Sequence, residues 1–129
     1  MDLNNLKKGA LTKIVGDSGF SLPEFANKIQ GFCLGLRLTH WETTGFALHK
    51  ATEMIQESLE GSLDAFVEAC VGYNEGKRPA FQGTVTKELD PDTLIEYLKN
   101  LPVKDSSLLN IRDEMLAALY KYKYLKGLS

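Results

Sequence analysis

Apolar residues recur at helical spacing through most of this 129-residue chain. After Ser21 they fall at Leu22, Phe25, Ala26, Ile29, Phe32, Cys33 and Leu36, which is one stripe of a helix. Its start carries the Ser21/Glu24 capping-box pair, with Pro23 early, where a missing N–H costs nothing. His40, four residues beyond Leu36, continues that stripe. Thr43, Thr44 and Gly45 then break the pattern, and one of the threonines is a good cap for a second helix. That helix is expected over 46–71, about 40 Å long at about 1.5 Å per residue. An irregular connection from Gly72 to Leu89, with Gly76, Pro79 and Gly83, separates it from a short helix opened by Asp90-Pro91 and ended by Pro102. Leu94, Ile95, Leu98 and Leu101 are that short helix's apolar positions. Asp105 to Ser107 can cap the last helix, with Leu108, Ile111, Met115, Leu119 and Tyr122 inward. The pattern predicts an all-α fold, a shortened helix bundle with one long connection between its second and third helices. It reads as a single domain over 1–129. Residues 1–20 form an N-terminal segment in which Lys7, Lys8 and Lys13 make only a weak basic patch beside Asp2 and Asp17.

The second helix also carries chemistry. On a wheel of about 100° per residue with His49 as zero, Glu60 falls at about 20°, Glu53 at about 40°, Asp64 at about 60° and Glu68 at about 100°. Leu48, Ala51, Ile55, Leu59, Phe66 and Ala69 gather at about 200–280°, on the other side. A stripe of acids is usually a solvated face. This one begins with a histidine, and the chain holds only two. The other, His40, ends the preceding helix beside the only tryptophan, Trp41. A single inward histidine is more often a satisfied core residue than a ligand, but two that converge on a carboxylate-rich helix point to metal. Imidazole with carboxylate suits iron, and also manganese or zinc. His49 and Asp64 are about 22 Å apart along one helix and cannot share an ion within one chain. An antiparallel copy of the helix, with a two-fold axis near residues 57–59, brings His49 of one chain to Asp64 and Glu68 of the other. A homo-oligomer with a dimer interface along 46–71 is therefore expected, and Gly61 at about 120° can ease the approach of the two backbones.

Composition changes little: 43% hydrophobic and 25% charged is ordinary for a globular domain. A net charge of -2 argues against a dedicated DNA binder. Cys33 and Cys70 lie in apolar helical stretches and read as buried, reduced thiols, in keeping with a cytoplasmic setting. No apolar run is long enough to span a membrane, and the first residues do not read as a secretory leader.

The runs His40-Trp41, His49-Lys50-Ala51-Thr52-Glu53 and Asp64-Ala65-Phe66-Val67-Glu68 resemble the Dps family of mini-ferritins over about thirty residues. The resemblance implies a ferritin-like bundle. It also implies an intersubunit ferroxidase site with His40, His49, Glu53, Asp64 and Glu68 as iron ligands, and storage of ferric mineral in a hollow shell of subunits. Trp41, Glu60 and Glu114 would stand just behind the ligands. Trp41 would intercept oxidising radicals there, though core packing is the commoner duty of a tryptophan. The stretch Asn110-Ile111-Arg112-Asp113-Glu114-Met115-Leu116, with Tyr124-Leu125, is similar to small ferritin-like proteins of bacteriophages. A charged helix start explains Asp113 and Glu114 equally well. The chain departs from the family in two ways. His40 and His49 are nine residues apart where the family has twelve, and the part after Gly72 lacks two full-length helices. Iron oxidation or sequestration is thus the leading expectation. The alternative is a non-catalytic ferritin-like binding or accessory protein, in a viral setting for example, that keeps the fold.

Overall fold

The computed structural model describes residues 20–128, and within them four helices account for all regular structure. We label them α1 (Leu22–Glu42), α2 (Phe46–Tyr73), α3 (Pro91–Lys99) and α4 (Ser106–Lys126). The expected N-terminal segment with Lys7, Lys8 and Lys13 lies outside the described residues. Three helix starts follow their sequence signals. Ser21 Oγ accepts from the Glu24 N–H at 3.2 Å, Asp90 from the Asp92 N–H at 3.0 Å, and Asp105 from the Ser107 N–H at 2.9 Å. The fourth start differs. Gly45 is the N-cap of α2 and makes no side-chain cap bond, while Thr43 Oγ1 instead accepts from the Gly45 N–H at 3.2 Å. A turn this short spends its threonine on its own loop. At its far end α2 runs two residues past the expected limit, until Glu75 and Gly76 take positive φ (57° and 81°) and the Gly76 N–H bonds back to the Val71 carbonyl at 2.8 Å.

Side-chain contacts fix the directions of the helices. His40 near the end of α1 meets His49 near the start of α2, so these two are antiparallel. Asp105, just before α4, lies close enough to Cys70 at the end of α2 to act on its thiol, so α4 runs back along α2. Lys123 near the end of α4 holds Asp92 at the start of α3 at 2.6 Å, which sets α3 antiparallel to α4. Helices α1 and α4 therefore run one way, and α2 and α3 the other.

Such an arrangement requires the chain to travel back along the bundle between α2 and α3. Residues 82–89 make that return as a strap laid on α1. Asn27 Nδ2 donates to the Gln82 carbonyl at 3.0 Å, and the Glu88 N–H donates to the Gly31 carbonyl at 3.0 Å. Two helix glycines four residues apart make the seat. A Cβ on Gly31 would collide with the Thr86 carbonyl oxygen, and one on Gly35 with that of Glu88. Four helix residues rise about 6 Å and two extended residues about 6.6 Å, so the strap keeps step with α1 in the same direction.

The apolar stripes meet in one core. Every predicted inward position of α1 from Leu22 to Leu36 is buried, as are Leu94, Ile95, Leu98 and Leu101. On α4, Leu108, Met115, Leu119 and Tyr122 are buried, with Ile111 only partly so. On α2 the buried set is Ala51, Thr52, Ile55, Leu59, Leu63, Phe66 and Cys70, while Leu48 and Ala69 pack at its edge. Phe25 stacks on Phe66 at 4.2 Å between centroids, which ties the start of α1 to the second half of α2. No helix among the described residues is long and apolar enough to cross a membrane.

Candidate metal centre

The α1–α2 turn is short, so the two histidines that flank it meet. Their rings stack with centroids 3.8 Å apart and planes 22° apart, both half-buried. Each ring bonds to the other residue's backbone: His40 Nδ1 lies 2.8 Å from the His49 carbonyl oxygen, and His49 Nδ1 lies 3.1 Å from that of His40. A carbonyl oxygen can only accept, so each Nδ1 carries the hydrogen, and in the neutral rings each Nε2 is left with a free lone pair. His40 Nδ1 also sits 3.1 Å from Thr52 Oγ1, whose own hydroxyl faces the Leu48 and His49 carbonyls at 3.0 and 2.9 Å. The buried Thr52 thus fixes the orientation of His40. That role was not read from the sequence, although a polar residue at the edge of the apolar sector of α2 was the available signal.

The carboxylates follow the wheel and stay on the surface. Asp64, Glu60 and Glu68 are exposed, and Glu53 is half-buried and paired with Lys50 at 3.5 Å. Glu60 is shared between Arg37 at 3.7 Å and the Gln56 amide at 3.1 Å. Arg37, another residue the sequence reading passed over, also reaches over the Trp41 ring at 6.0 Å. A groove of about 560 Å³ between α1, α2 and the strap is lined by Cys33, Arg37, Gln56, Glu60, Asp64 and Val85 among others. Trp41 is 68% exposed, so the expected core role does not hold; it lies on the surface beside His40. Glu114 is exposed on α4, and no hydrogen bond or ion pair joins it to the other candidates.

Among the described residues, no group of three or more His, Cys, Asp or Glu side chains is placed to hold a metal ion. One chain thus assembles the two imidazoles, while Asp64 stands fifteen residues of straight helix from His49, and Glu53, one turn from His49, pairs with Lys50. The cysteines are free and buried, as the sequence predicts. Burial, then the nearby Glu60 charge, pushes the Cys33 thiol up to about 12 against the partial relief of Arg37. Burial and Asp105 push Cys70 up to about 12 as well. Neither thiol is a ready metal ligand, since the thiolate is the binding form. No protein-family model matches this chain, nor does any curated protein or solved structure.

Proposed function

We propose that this chain is a shortened ferritin-like protein that binds and oxidises Fe(II), in the manner of the Dps mini-ferritins, at sites shared between two antiparallel copies. The observation that carries the reading is the pair of Nδ1–carbonyl bonds. Metal-bound imidazoles commonly donate their other N–H to a carbonyl or carboxylate, which fixes the tautomer and aims the lone pair. Here both rings have that arrangement before any metal arrives. The helix directions add support, because two helices one way and two the other, with a long return between the second and third, is the ferritin-like order.

In this reading His49, with His40 beside it, would hold Fe(II) together with Asp64 and Glu68 of the second copy. Glu53 and Glu60 would draw cations along the acidic face or hold a second ion. Manganese or zinc suits the same donors. Iron is the substrate here: a peroxide molecule takes one electron from each of two Fe(II) ions and, with two protons, leaves as water. The protein contributes coordination, proximity of the two ions and a partly dry pocket.

Adding Fe(II) and peroxide to the purified apo-protein should give a ferric absorbance rise that is lost in His49→Ala and Glu68→Ala. Mixing His49→Ala with Asp64→Ala should recover activity, because each mixed dimer regains one site with all its ligands. No recovery on mixing would rule out the shared site. The second reading is a ferritin-like binding or accessory protein without metal, in which the histidine pair serves only to staple the α1–α2 turn. It is favoured by the lack of a three-ligand group within the described chain. A flat ferric response, with no metal in elemental analysis, would decide for it.

A further inference from the structure

We propose that the strap over α1 is an edge strand that pairs, antiparallel and in a single register, with the strap of a second copy of this chain. Successive residues of an extended backbone aim their N–H and C=O groups to opposite sides. Thr86 and Glu88 aim theirs at α1: the Glu88 N–H bonds to Gly31, and both carbonyl oxygens press on the two glycines. Val85 and Lys87 must then aim theirs outward. No hydrogen bond among the described residues engages the N–H or C=O of either, and both side chains are exposed. The run Thr84-Val85-Thr86 is β-branched throughout, an unusual choice for a connection in an all-helical protein. It has the composition and the free edge of a strand, and among the described residues no strand lies beside it.

The pattern of free groups selects the occupant. A two-fold axis through Thr86 sets Val85 opposite Lys87 of the second copy, and Lys87 opposite Val85. Each of these pairs exchanges two backbone bonds, so the four outward groups of each copy are all satisfied. The side chains fit the same register. Thr86 faces Thr86, a favourable cross-strand pair, and Thr84 faces Glu88, where a hydroxyl meets a carboxylate. The two lysines face valines rather than each other. Val85 also lines the groove that holds Glu60 and Asp64, so strap pairing and contact along α2 use one continuous face. The inference stands apart from the iron reading, and no metal enters its test.

Cysteine substitution tests the register directly. Directly opposed residues of a pair without backbone bonds have Cα atoms about 4.5 Å apart, within the range a disulfide spans. Full-length Thr86→Cys should therefore form a disulfide-linked dimer under mild oxidation, while Cys33 and Cys70 stay buried and silent. Thr84→Cys should not, because the two copies of residue 84 would be about 14 Å apart. Val85→Pro removes two of the four shared bonds and no bond within the chain. Sedimentation should show its dimer at least about tenfold weaker, with unchanged helical circular dichroism. Efficient linkage through Thr84→Cys, no linkage through Thr86→Cys, or an undiminished Val85→Pro dimer would each overturn the proposal.

Discussion

At the level of single residues, the glycines separate what a helix tolerates from what it needs. Gly31 and Gly61 both sit inside long helices, yet a Cβ on Gly31 would strike the strap while one on Gly61 would meet no described residue within 4 Å. Gly31→Ala should cost about 1–3 kcal/mol through displacement of the strap, and Gly61→Ala should stabilise the monomer by about 0.5–1 kcal/mol. Urea midpoints of the two variants should move in opposite directions. Gly61 drew notice in the sequence for a contact between two chains, whereas Gly31 and Gly35, which seat the strap, passed unnoticed. A glycine pair inside a helix shows that something comes close, not what it is. The buried thiols make a second prediction. Their folded values near 12 lie above the unfolded value of 9.0, so the native state holds protons that the unfolded state releases. That share of stability is complete below about pH 9 and declines as pH rises towards 12. Unfolding free energy measured from pH 8 to 11 should fall less steeply in Cys33→Ala than in wild type.

At the level of elements, the apolar periodicity located all four helices, because each buries one stripe and exposes the rest. The ends were legible where a side chain caps, as at Ser21, Asp90 and Asp105, and not where the backbone does the work, as at Gly45 and Gly76. Loss of the Ser21 hydroxyl in Ser21→Ala should cost about 1 kcal/mol, readable as a lower urea midpoint with no change in fold. Phe66 is a sharper probe, fully buried and stacked on Phe25. Phe66→Ala should cost about 3–5 kcal/mol, and it should loosen the hold of α2 on the start of α1 more than the turn at the histidines. Amide hydrogen exchange in α1 would show the gradient: protection lost most around Phe25 and least around Leu36.

For the whole molecule, what matters is whether a surface is finished by one chain. Among the described residues, Asp64 and Glu68 on α2, the Nε2 atoms of both imidazoles and the outer edge of the strap have no hydrogen-bond or ion-pair partner. If the strap pairs with a second copy, the midpoint of thermal unfolding should rise with protein concentration in wild type, and the same rise in Val85→Pro should need at least about tenfold more protein, since a dimer is stabilised by mass action.

The sequence by itself determined the helical class, the core stripes and the division of α2 into a buried and an acidic face, because these come from periodicity along one element. It also separated His49 from Asp64, because a helix has a fixed rise. Only the tertiary structure decided that the histidine rings stack and bond across the turn, that Thr52 orients His40, that Trp41 faces outward, and that residues 82–89 lie along α1 on two glycines. Each of these depends on where a second element stands, and no local pattern in the chain encodes that position.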